Sequence, residues 1–141
     1  MDDRVRDAIL EAVKKEPFCL TMGIELVELS DGRSVVQMEY VPDRMNNIYG
    51  RAHGGAVFAL IDEAFETASQ TAGTIAVALN VNVTYVKSPE PGRLSCEAVR
   101  VTRTNKTATY DIKVTDRNGD IVALSSGLVY QTGKPIPFLK D

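Results

Sequence analysis

One carboxylate in an apolar stretch, placed shortly after two consecutive glycines, is the arrangement in this chain best suited to chemistry. The segment NNIYGRAHGGAVFALIDEAFETAS, residues 46–69, carries both features. From Gly54 to about Gln70 there is no proline, and Val57, Ile61, Ala64, Phe65 and Ala68 recur at helical spacing, predicting a helix with one apolar stripe. Glu63, Glu66, Thr67 and Gln70 form the polar stripe, and Asp62 falls between the two. Its neighbours on the helix surface are Gly55, Phe58, Phe65, Glu66 and Ser69. A carboxylate sheltered by two Phe rings loses hydration, which raises its pKa and strengthens it as a base or nucleophile. The plainer reading of Asp62 is a solvated carboxylate at the rim of the core.

The start of this helix is the second element of the reading. Gly54 and Gly55 allow another group to approach the backbone, and the first N–H groups of a helix have no internal partner. Aligned with the positive end of the helix dipole, such donors can hold the developing oxyanion of an acyl transfer. The alternative is close packing of the helix start against a strand. His53, the sole histidine, invites an acid–base role, but a His beside a helix start also serves as a structural hydrogen-bonding residue, which is the role expected here.

Asn47, His53, Gly54, Gly55 and Asp62 have the spacing of a known motif: Asn, His-Gly-Gly six residues later, and Asp nine residues after the His. On this pattern, over nearly its whole length, the chain resembles the hotdog-fold acyl-CoA thioesterases of the phenylacetic-acid-degradation (PaaI-like) branch. The resemblance implies that Asp62 attacks the thioester or activates water, that Gly54 donates its N–H to the thioester carbonyl, and that Asn47 helps place the nucleophile. It implies hydrolysis of an acyl-CoA to free acid and coenzyme A, with coenzyme A as part of the substrate and no other cofactor. It further implies a homodimer at minimum, and a dimer of dimers, with Asp62 from one chain meeting Asn47 and Gly54 of the other.

Two alternatives stay open: a non-catalytic acyl-CoA-binding hotdog module, and a hotdog hydratase or dehydratase using His53. Within the resemblance, Lys87, Arg93, Arg103 and Lys106 fall near strand ends, and the turn 104–107 lies where related enzymes contact the coenzyme A phosphates or adenine. A solvated hairpin tip is the competing reading. Phe58, Ile61, Phe65 and Tyr49 are candidates for the acyl pocket, and Arg51 for guarding its mouth or pairing with Glu66. Some relatives carry a hydroxyl on the strand after the helix to hold water. Here Ala78 and Asn80 occupy that neighbourhood, so that helper is unassigned.

The elements that must position these residues follow from the rest of the chain. Its 141 residues, 44% hydrophobic and 25% charged, suit one domain, residues 1–141, with a real core. A formal charge of −3 without a long basic stripe argues against general nucleic-acid binding. No apolar run approaches a membrane span, and the amphipathic N-terminus is not a signal peptide, so a cytoplasmic location is expected. Cys19 and Cys96 show no metal-ligand spacing; both are expected as reduced structural thiols, and no metal is expected.

After an N-terminal helix of about fifteen residues, segments 24–29 and 33–41 read as a hairpin around Asp31-Gly32. A loop containing Pro42, Asn47 and Gly50 leads to the motif helix. Residues 75–87 alternate, with Val77, Leu79, Val81, Val83 and Tyr85 on one face, and further strands are predicted over 93–103, 106–116 and 120–131. This order predicts an α+β architecture, an antiparallel sheet holding one long central helix. The resemblance names it the hotdog fold.

Overall fold

The central helix, α4 (Gly54–Ser69), is set by its apolar period and by the residue that caps it. His53 is extended and accepts the Gly55 N–H on its ring, so a side chain supplies one of the partners that helix starts lack. Leu60, Ile61, Ala64, Phe65 and Ala68 are buried against the sheet. The Phe65 ring meets Tyr110 edge-on at 5.5 Å between centroids. Gly127 lies beneath that ring; a Cβ there would stand 2.6 Å from it, so only glycine fits without displacement.

The computed structural model describes residues 1–139. Helices α1 (Asp3–Val13) and α2 (Pro17–Met22) precede β1 (Ile24–Ser30) and β2 (Arg33–Tyr40); α3 (Pro42–Met45) and α4 follow. The remaining strands are β3 (Thr74–Tyr85), β4 (Gly92–Arg103), β5 (Thr107–Thr115) and β6 (Ile121–Pro135). They form one antiparallel sheet ordered β1-β2-β4-β5-β6-β3, wrapped on α4. This is the α+β hotdog arrangement expected from the sequence. No helix among the described residues is long and apolar enough to cross a membrane.

Four local expectations need correction. Helix α2 falls where only a connection follows the N-terminal helix; Pro17 opens it and Gly23, at φ +71°, closes it. The predicted loop after β2 contains the short helix α3. On α4, Glu63 and Thr67 are buried rather than part of a solvated stripe, because α2 and β2 cover that side. Thr67 Oγ1 meets Ser34 Oγ at 2.7 Å and donates to Glu63 O at 2.8 Å, which satisfies both hydroxyls.

In β3 the alternation breaks. A bulge between Ala78 and Asn80 shifts the pairing by one residue, so Val81 and Val83 pack on the core while Val77 and Leu79 stay exposed. The strand is also a sheet edge, which leaves its outer backbone groups without a neighbouring strand in the chain.

Candidate active site

The loop between α3 and α4 is built around Asn47. Its side-chain oxygen accepts the N–H groups of Tyr49 at 2.9 Å and Arg51 at 3.1 Å, and its backbone N–H donates to Arg51 O at 2.7 Å. These bonds fix the amide orientation: the oxygen faces the loop and the NH₂ is the end left to donate elsewhere. The loop presents Ile48 and Tyr49 at 91% and 80% exposure, on the chain's outside rather than lining an internal pocket. His53 N–H donates to Met45 O at 2.7 Å, which anchors the loop to the helix start.

At that start the two glycines part in role. Gly55 N–H donates to His53 Nδ1 at 2.8 Å. An accepting Nδ1 is unprotonated, which puts the ring proton of a neutral His53 on Nε2. Gly54 N–H has no hydrogen-bond partner among the described residues and is the one free donor at the positive end of the α4 dipole. Tyr85 closes over it: its hydroxyl donates to Gly54 O at 3.2 Å, and a Cβ on Gly54 would lie 3.3 Å from its ring.

Asp62 lies two turns further along α4, on the exposed line that runs through Gly55, Phe58, Asp62 and Glu66. Partial burial holds its carboxyl above the ordinary carboxylate range. It opens on a cleft of ≈ 250 Å³ between α4 and the β3–β6 pair, with Phe65, Ala76, Ala78 and Val129 as apolar lining and Glu66 beside it. Glu66 was not foreseen as a site residue, although it stands four residues after Asp62 and hence on the same face. Its carboxyl is also raised, by burial first and then by the charges of Glu16 and Asp62. Phe58 is half-buried on the line between Gly54 and Asp62, while Phe65 is almost wholly core and shows only an edge to the cleft.

The predicted cations do not form one cluster. Lys87 is held by Asp116 at 3.0 Å and Asp120 at 2.7 Å, just beyond the end of β3 whose Tyr85 covers Gly54. Lys106 sits over the Tyr130 ring at 5.9 Å, and Tyr130 pairs with Val77 at the opposite end of β3. Along the strand, Val77 and Tyr85 are roughly 25 Å apart. Arg103 is exposed at the same hairpin end as Lys106, in a turn pinned by Thr104 Oγ1, which accepts the N–H groups of Lys106 and Thr107. Arg93 reaches Gln37 and Glu39. Arg51 forms no ion pair among the described residues, with Glu66 or any other carboxylate.

Comparison with known proteins identifies the family. Residues 49–123 match the model of the thioesterase superfamily, a span that includes Gly54 and Asp62. The acyl-coenzyme A thioesterase PaaI of Escherichia coli is 30% identical over 116 residues, covering 82% of each chain. The structure of the E. coli PaaI protein superposes with a TM-score of 0.89 at 25% identity, covering 95% of this chain and 97% of that one. A PaaI mutant from Thermus thermophilus is 38% identical over 82% of this chain and 98% of its own, with a TM-score of 0.76. A Streptococcus mutans protein solved with acetyl-CoA bound is 31% identical, with a TM-score of 0.74, and covers 80% of this chain and 91% of its own. Sequence motif, sheet order and these relatives agree that the chain belongs to the thioesterase superfamily, in its PaaI-like hotdog branch.

Proposed function

We propose that this protein hydrolyses an acyl-CoA thioester to the free acid and coenzyme A, in a site that two copies of the chain complete together. The observation that carries the shared site is a distance. Gly54 N–H and the Asp62 carboxylate stand eight residues apart on one straight helix, about 12 Å along its axis. A thioester carbonyl needs the donor within about 3 Å of its oxygen and the attacking group within about 3.5 Å of its carbon. One chain cannot meet both conditions. A second α4 lying antiparallel on the exposed line through Gly55, Phe58 and Asp62 brings the Asp62 of one copy to the Gly54 of the other.

In that site the carbonyl oxygen accepts the Gly54 N–H, and the helix dipole stabilises the charge that develops there. The Asp62 carboxylate either attacks the carbonyl carbon or takes a proton from the attacking water, and the coenzyme A sulfur leaves as thiolate. The free NH₂ of Asn47 supplies a further donor from the loop beside Gly54. His53 and Gly55 act by fixing the helix start, the His53 ring accepting the Gly55 N–H on Nδ1. Phe58, Phe65 and the cleft beside Asp62 take the acyl group, and the S. mutans relative's acetyl-CoA supports a coenzyme A ligand. Arg103 and Lys106 serve the phosphates, while Lys87 must first leave Asp116 and Asp120 to do so.

Free-thiol release from a panel of short, long, aromatic and hydroxylated aromatic acyl-CoAs, run beside Asp62→Asn, tests the reading. Turnover that collapses in the variant while coenzyme A binding persists is the expected result. Binding without turnover of any thioester would leave a binding module, and turnover indifferent to Asp62→Asn would put the carboxylate elsewhere.

A further inference from the structure

Away from the cleft, three groups converge between α2 and the buried side of α4. Glu16, which precedes α2, Cys19 on α2 and Glu63 on α4 place one ligand-type atom each within 4.8 Å of one another. Cys19 is 1% exposed and Glu63 3%. Glu63 Oε1 has no hydrogen-bond partner, an anomaly for a buried carboxylate that costs free energy unless something pairs with it. No Lys or Arg forms an ion pair with Glu63 or Glu16 among the described residues. The groups facing this point are therefore two acids and a thiol.

We propose that Glu16, Cys19 and Glu63 form a binding site for a thiophilic divalent cation of the zinc type, which ties α2 to the central helix. Donors around tetrahedral zinc bond at about 2.0–2.3 Å, so they lie closer together than the present 4.8 Å limit. The half-buried Glu16 side chain, at the start of a short helix, is the one free to move inward. A cleft of ≈ 340 Å³ lined by Ile9, Val13, Glu16, Glu66 and Thr67 opens beside Glu16 from the α1 side.

Binding forms two metal–oxygen bonds and one metal–sulfur bond, and the thiol proton passes to solvent. Calcium and magnesium are disfavoured by the sulfur and by the small number of oxygens. The spacing of the two cysteines did not suggest this site, because Glu63 joins it only through the fold.

The test uses the purified, chelator-treated full chain, titrated with Co²⁺ as a chromophoric stand-in and with Zn²⁺ by calorimetry. Expected are one ion per chain, a thiolate-to-cobalt absorption band, and a rise in melting temperature with Zn²⁺. The band is lost in Cys19→Ser, persists in Cys96→Ala, and Zn²⁺ affinity drops in Glu16→Gln, a near-isosteric change at a half-buried position. Absence of the band, a band indifferent to Cys19→Ser, or unchanged Zn²⁺ affinity in Glu16→Gln overturns the assignment.

Discussion

A site split between two copies makes a sharp prediction about mixtures of inactive variants. Asp62→Asn removes the carboxylate, and Gly54→Pro removes the donor. Proline suits that position: it is the first residue of α4, where proline is favoured, and His53 before it is already extended at φ −65° and ψ 134°. The lost N–H has no partner among the described residues to miss it. The new Cβ would meet the Tyr85 ring at 3.3 Å, so the ring must yield by a few tenths of an ångström. Gly54→Ala makes the same contact but keeps the N–H, and therefore separates crowding from donor loss.

Removing one oxyanion donor costs about 10²–10³ in turnover, so Gly54→Pro should be nearly inactive while Gly54→Ala keeps most activity. Co-expression of Gly54→Pro and Asp62→Asn with two different tags yields a doubly tagged hybrid. In it one site joins the intact Gly54 of one chain to the intact Asp62 of the other, and the second site has neither. The hybrid should recover about half of native activity per dimer, because one of two symmetry-related sites survives. A correctly folded, doubly tagged hybrid as inactive as its parents would refute the shared site.

Two further predictions concern the core. Burial holds the Glu63 carboxyl at about 7, against an ordinary 4.5, with the charges of Glu16, Glu66 and Asp62 adding to the effect and Cys19 opposing it. A raised folded-state pKa stabilises the fold below the ordinary value, and that contribution is lost as pH climbs through 4.5 to 7; the gap corresponds to roughly 3 kcal/mol. Urea unfolding of chelated protein should therefore show the native chain losing up to that amount relative to Glu63→Gln between acid and mildly alkaline pH; a pH-independent difference would contradict it. Gly127→Ala drives a methyl to 2.6 Å from the Phe65 ring and should cost about 1–3 kcal/mol by overpacking, with recovery in Gly127→Ala/Phe65→Leu; denaturation midpoints of the three variants decide it.

The local patterns of the chain reached far but stopped where distant segments meet. The α4 period and the Asp31-Gly32 turn were legible because each is decided within a few residues, and both elements formed where expected. The face of β3 was not, because a bulge at Leu79 reverses the alternation and no residue type marks it. Glu63 read as a solvated polar position because the helix alone cannot reveal that α2 folds back over it. In the site, the motif drew attention to Gly54, Gly55 and Asp62 together. Only the geometry of His53 distinguishes the glycine whose N–H is taken from the one whose N–H is free.

That distinction also bears on why the chain leaves one line of the otherwise buried α4 uncovered. A helix cannot fold its own start onto its own middle, so in the proposed mechanism a donor at residue 54 and a carboxylate at residue 62 of one α4 serve different substrates. The proposed second copy would cover the line through Gly55, Phe58, Asp62 and Glu66, the outward Ile48 and Tyr49, and the sheet edge at Val77 and Leu79 together. Partial burial already raises the Asp62 carboxyl, and complete burial within one chain would favour the protonated form, which cannot act as a base. In the proposed dimer, the same uncovered surface that would be a liability in a monomer is what lets a donor and a base meet around one thioester.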